Sequence, residues 1–222
     1  MAKMERYVVQ LDDELWFPDP HHGLEDGWFA IGGDLSPNRL ILAYQHGIFP
    51  WYSFRDSEEP LWFCPMSRFV IFPSQIHVSH SMRTLMNKGI YHCSFNKDFD
   101  GVIRNCGRIN GRYEAEGAWL SEDIIRAYTR LHKMGWVSSV EVWEGDQLVG
   151  GLYGGTYKKT FIGESMFSLK PNTSKIALIY LARYMEKNHL TMIDCQIESP
   201  HLKSMGGVHI DYEEYMRLLN ID

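Results

Sequence analysis

The sequence predicts an α+β protein: a small N-terminal domain over residues 1–62 and a larger domain over 63–222. Three observations carry the larger domain. From Ser138 the hydrophobic period falls to two residues, so 138–144, 147–153 and 157–167 read as an antiparallel meander with Gly145-Asp146 as its first turn. Thr173 or Ser174 then caps a helix running to about Lys187, apolar at Ile176, Leu178, Ile179, Leu181 and Ala182. Residues 192–197 return as a strand.

The elements before the meander follow from local chemistry. Segments 16–20 and 23–33 are punctuated by proline and glycine and read as irregular. Ser36 caps a helix with Pro37 in its first turn and a stripe of Leu40, Ile41, Ala43 and Tyr44; Gly47 ends it. Residues 48–52, Ile-Phe-Pro-Trp-Tyr, form an apolar cluster on a non-helical turn, either a small-domain core or, through Trp51, a stacking platform for a base. Residues 55–60 are a charged loop near the domain boundary. Strands are expected at 61–63 and 68–72, and helices at 79–88, stopped by Gly89, and 97–105. A basic loop at 107–117 precedes Trp119. Ser121-Glu122-Asp123 caps another helix with His132-Lys133 in its last turn. Asp211-x-x-Glu214 opens the final helix.

Composition narrows the function. No stretch of eighteen apolar residues exists, so a membrane span is not expected, and the N-terminus lacks a signal-peptide pattern. Four scattered cysteines form no Cys-x-x-Cys pair, which suggests reduced thiols and a cytoplasmic location. Histidine spacing offers no metal site, and no cofactor motif appears. The net charge of −6 is concentrated in residues 1–60, where four basic residues face eleven acidic ones. The remainder leaves room for a basic patch of Arg83, Lys88, Lys97, Arg104, Arg108 and Arg112, either a nucleic-acid contact or a solvated helical face. A meander, helix and returning strand form the layer used by GNAT-like acyltransferases. Their acyl-coenzyme A site is a glycine-rich loop opening that helix, and here 168–174 contains no glycine, which disfavours coenzyme A.

Two strands carry the chemistry. Glu164 lies within 160–168, and Asp194 and Gln196 lie within 192–196. A carboxylate in such a strand either faces solvent or is paired, hydrogen-bonded or open to a cavity, because an unpaired buried charge is costly. The surrounding motifs are specific: Gly32-Gly33-Asp34-Leu35-Ser36-Pro37, Gly47-Ile48-Phe49-Pro50-Trp51, Ser139-Val140-Glu141-Val142-Trp143, Gly163-Glu164-Ser165-Met166-Phe167-Ser168 and Ile193-Asp194-Cys195-Gln196. With them the chain resembles the leucyl/phenylalanyl-tRNA–protein transferase family over about residues 16–207.

The resemblance implies transfer of Leu or Phe, and possibly Met, from Leu-tRNA or Phe-tRNA to proteins with N-terminal Arg or Lys. That reaction needs no ATP, metal or cofactor. It implies a proton relay at Asp194 and Gln196, with Glu164 at the same site and toward the basic acceptor residue. It also implies an apolar aminoacyl pocket of Phe161, Met166, Leu178, Leu181 and Ile193, with Trp51 and Trp119 around the terminal adenosine. Either Asp194 takes the proton or the 3′-terminal ribose hydroxyl shuttles it. Arg83 and Lys88 stand where the family carries a denser basic run for the tRNA body. A monomer is expected. Two other readings are a peptidoglycan-type N-acyltransferase and a non-catalytic tRNA-binding module. The Gly-Gly-Asp-Leu-Ser-Pro block opposes the first, and the intact Glu164, Asp194 and Gln196 oppose the second.

Overall fold

The computed structural model describes residues 5–51, 59–109 and 122–221. A small sheet is built from β1 (Val9–Leu11), β2 (Trp28–Gly32), β3 (Phe49–Trp51) and β4 (Leu61–Phe63), in the spatial order β1-β2-β4-β3, beside α1 (Pro37–Gln45). Ser36 Oγ accepts from Arg39 N–H as the cap, and Gly47 leaves α1 at φ +67°. The irregular reading of 16–33 misses β2, whose register shifts between Trp28 and Ala30 and so never shows sustained alternation. The apolar cluster at 48–52 contains an edge strand rather than a turn. Pro50 is tolerated because β3 pairs only with β4.

The second sheet has seven strands: β5 (Ser67–Ile71), β6 (Tyr91–Phe95), β7 (Val137–Glu144), β8 (Gln147–Tyr157), β9 (Thr160–Ser168), β10 (Met192–Asp194) and β11 (Val208–Asp211). Their order is β11-β5-β10-β9-β8-β7-β6, so β6 to β9 form the meander and β10 runs parallel to β9. Helices α2 (His80–Asn87), α3 (Phe99–Ile109), α4 (Glu122–Lys133), α5 (Thr173–Lys187), α6 (Pro200–Ser204) and α7 (Tyr212–Leu219) complete the fold. None of the described helices is long and apolar enough to cross a membrane.

Several boundaries differ from expectation for local reasons. β8 runs unbroken through Gly154 and Gly155 and turns at Lys158, whose φ is +49°. A Cβ on Gly155 would lie 2.4 Å from the Tyr44 ring, so this glycine is a close approach rather than a turn. α5 starts after Asn172, at φ +70°, with no side-chain cap. The Thr173 hydroxyl instead donates to the carbonyls of Val149 and Lys170. β10 stops at Asp194 because Gln196 turns the chain at φ +63°. α3 runs past the expected end at 105, through Gly107 to Ile109, into the first residues of the expected loop. Three short elements, β6, α6 and β11, leave no periodic signal. The expected basic loop with Arg112, the cap Ser121, Trp119, Tyr52 and most of the loop at 55–60 lie outside the described residues.

The larger sheet is covered on both faces. Ile176, Leu178, Ile179, Leu181 and Met185 of α5 bury against Val140, Val142, Val149, Leu152, Phe161 and Ile193. A fully buried aliphatic side chain contributes about 1.5–3 kcal/mol, so this face alone fixes α5 firmly. On the other face Val102, Cys106, Tyr128 and Leu131 join Tyr153, Ile162 and Phe167 in a cluster that also contains Phe29, Leu40, Tyr44 and Trp62 of the small layer. The two sheets therefore share one core.

Candidate active site

The site forms where two parallel strands part. β10 pairs with β9 only from Met192↔Thr160 to Asp194↔Ile162; β9 then continues alone on that side to Ser168. A pocket of about 560 Å³ opens in the gap. On its other edge, β9 pairs Gly163 with Gly154 and Ser165 with Tyr153, so the register skips Glu164. Such a bulge re-aims the side chain of the extra residue. Glu164 lines both this pocket and a second cavity of about 150 Å³, walled by Phe49, Trp51, Tyr128 and Tyr153. Gln196 and Cys195 also line both.

The two carboxylates sit in opposite surroundings. Asp194 is fully buried, and its partner Arg68 is 1% exposed. Arg68 Nε donates to Asp194 Oδ1 at 2.8 Å and Nη2 to Oδ2 at 2.7 Å, a bidentate pair. Tyr215 Oη donates to Oδ2 at 2.9 Å and the Gln196 N–H to Oδ1 at 2.9 Å. Burial alone would lower the Arg68 pKa, but the Asp194 carboxylate overcomes it and raises the value. Glu164 instead accepts from Tyr44 Oη at 2.7 Å, with Tyr128 beside it. Burial pushes its carboxyl up to about 7, against the tyrosine hydrogen bonds that lower it. Glu164 is thus poised between its acid and base forms near neutral pH, whereas the oxygens of Asp194 are engaged by Arg68, Tyr215 and the Gln196 N–H.

The aminoacyl-pocket residues expected from the sequence, Phe161, Met166, Leu178, Leu181 and Ile193, all line the larger cavity. Trp51 lies in the wall of the smaller one, 5.4 Å from the Phe63 ring. Arg83 and Lys88 are exposed at α2 and line neither cavity; Arg83 Nε donates to the Val78 carbonyl. Lys97 lies over the Trp143 ring and Arg104 pairs with Glu122. The solvent-facing alternative for Glu164 and Asp194 does not hold. Burial, then the Asp194 charge, raises the Cys195 thiol, so no thiolate nucleophile is available there. Sequence reading missed Arg68, Tyr44, Tyr128 and Tyr215. The signal was present for Arg68, a cation opening an otherwise apolar strand; the tyrosines look like ordinary core positions in helices.

Residues 70–220 match the family model described as leucyl/phenylalanyl-tRNA protein transferase, and residues 33–66 match that of its N-terminal domain. The chain belongs to this family. The transferase of Flavobacterium psychrophilum bearing the family name is 46% identical over 209 residues, covering 94% of this chain and 98% of that protein. The one of Flavobacterium johnsoniae is 47% identical over 212 residues, covering 96% and 99%. The one of Cellvibrio japonicus is 47% identical over 207 residues, covering 92% and 86%. A solved structure of L-PGS from Bacillus licheniformis aligns with a TM-score of 0.40 at 14% identity, covering 78% of this chain and 55% of that one.

Proposed function

We propose that this transferase moves Leu or Phe from aminoacyl-tRNA to the N-terminal Arg or Lys of a protein. The carrying observation is the meeting of an apolar cavity with a smaller aromatic one at Glu164 and Gln196. The larger accepts the Leu or Phe side chain among Phe161, Met166, Leu178, Leu181 and Ile193. Such a pocket selects by size and separates chains differing by one methylene by only about 1–3 kcal/mol. The smaller, with Trp51 and Tyr128 in its wall, presents ring faces and the Glu164 carboxylate to a cationic acceptor. Trp51 also offers a face to the terminal adenine. Acceptors are cytoplasmic, and the enzyme works as a monomer divided near residue 62 into a small N-terminal and a catalytic domain.

The ester donor is already activated. The acceptor α-amino group, of ordinary pKa roughly 7.7–8.0, is mostly ammonium at neutral pH. The proton-accepting role that the resemblance implies for Asp194 fits Glu164 better, since the Asp194 oxygens are engaged by Arg68, Tyr215 and Gln196. Glu164 takes one ammonium proton, and the amine nitrogen attacks the ester carbonyl carbon. The bond to the ribose oxygen breaks as the second nitrogen proton passes to that oxygen, through the neighbouring ribose hydroxyl. The products are an amide and tRNA with a free terminal hydroxyl.

The test is transfer of radiolabelled Leu from Leu-tRNA to a peptide beginning with Arg, beside the same peptide beginning with Ala. Labelling of the Arg peptide alone is expected. Equal labelling of both, or of neither by Leu- or Phe-tRNA, removes the proposal.

A further inference from the structure

Asp194 occupies the centre of a clamp. Around it close Arg68 from β5, Tyr215 from α7 and the Gln196 backbone, while the Arg68 guanidinium lies 5.0 Å from the Phe49 ring of the small sheet and 4.6 Å from that of Tyr215. The clamp therefore ties both sheets and the C-terminal helix to one carboxylate. It also sets the backbone two residues further along the chain. Gln196 has a Cβ yet adopts φ +63°, a conformation that persists only when surroundings impose it. The imposed contact is its N–H on Asp194 Oδ1 at 2.9 Å. Beyond this backbone, Gln196 Nε2 is buried without a hydrogen-bond partner, at the junction of the two cavities.

We propose that Arg68 and Tyr215 are positioning residues which, through Asp194, hold the Gln196 carboxamide as a donor to the ester carbonyl oxygen. This inference rests on the transferase reading. An unpartnered amide N–H beside the substrate cavities is a donor awaiting an acceptor, and the oxygen gaining negative charge as the amine attacks is the acceptor the reaction supplies. Asp194 stays bound to Arg68 throughout. For it to accept a proton, the guanidinium would lose its buried counterion. The clamp works by geometry, so each bond removed from Asp194 loosens the Gln196 carboxamide.

The experiment compares wild type, Tyr215→Phe, Gln196→Ala and the double variant Arg68→Met with Asp194→Asn, all as the full chain. Thermal melting confirms folding. Saturating kcat and KM for Leu transfer to the Arg peptide are read across pH 5.5–9. Tyr215→Phe removes one bond to Asp194 and is expected to lower kcat about three- to tenfold, with KM and the kcat pH midpoint unmoved. Gln196→Ala is expected to lower kcat by about a hundredfold, the scale of one lost oxyanion donor. The double variant loses the bidentate pair but keeps an acceptor for the Gln196 N–H, so its kcat is expected to fall further than that of Tyr215→Phe and less than that of Gln196→Ala. A folded double variant that loses more activity than Gln196→Ala, or a pH midpoint moved by Tyr215→Phe, makes Asp194 the proton acceptor and overturns the proposal. An unchanged kcat in Tyr215→Phe overturns it as well. A wild type that transfers nothing refutes the transferase reading instead, which separates the two failures.

Discussion

Glu164 and Asp194 stand on neighbouring strands, two residues past the last shared pairing in one case and at it in the other. Both are carboxylates in apolar sequence, yet the fold treats them oppositely. Asp194 receives a guanidinium, a phenol and a backbone N–H; Glu164 receives a phenol and, among the described residues, no ion-pair partner. Compensated charge is structure, and uncompensated charge is available for chemistry. A carboxylate buried without a cation in such a site is a candidate for acid–base work.

Breaking either side of the contrast has a defined consequence. The largest effect is expected for Arg68→Ala or Asp194→Ala alone, each leaving a bare buried charge and costing about 3–5 kcal/mol in denaturant unfolding. Glu164→Gln should leave the fold intact and lower kcat by about 10²–10⁴, the range of general-base removal, in single-turnover transfer to the Arg peptide. The same substitution sharpens the electrostatic half of the comparison. The folded-state pKa of Glu164 is raised from 4.5 to about 7, so the ionised form costs the folded state. That cost is absent below the unfolded value, grows as pH rises through it and is complete above about 7. Glu164→Gln should therefore unfold with about 3 kcal/mol more stability than wild type at pH 8, and with none at pH 4. Gly155→Ala places a methyl into the Tyr44 ring that holds Glu164 and should cost about 1–3 kcal/mol in melting experiments, with lower kcat. Smallest is the remote surface: Arg83→Ala or Lys88→Ala should weaken tRNA binding with kcat unchanged, reducing the salt dependence by about one unit of log–log slope if either meets a phosphate.

How much of this was legible in the sequence divides along the same line. The meander, α1 and α5 announce themselves through periodicity and caps, and the apolar lining follows because Leu178 and Leu181 fall on the buried stripe of α5. The strand pattern marks Glu164 and Asp194 as unusual but says nothing about which is compensated. Arg68 lies 126 residues from Asp194, and Tyr44 lies 120 from Glu164, so no local window contains either pair. The bulge that turns Glu164 into the cavity is a register event between β8 and β9, and a glycine on each side of it is its only trace in the chain. β6 and β11 escape sequence reading because edge strands of four or five residues with mixed exposure lack a face to alternate.

The central claim is that Glu164 changes charge near neutral pH. Carbon-13 NMR of the glutamate side-chain carboxyls reads it directly, with Glu164→Gln assigning the resonance. A carboxyl titrating with its midpoint near 7, absent from that variant, is the expected result. A Glu164 midpoint near the ordinary 4.5 would contradict the account and return the acceptor role to another group.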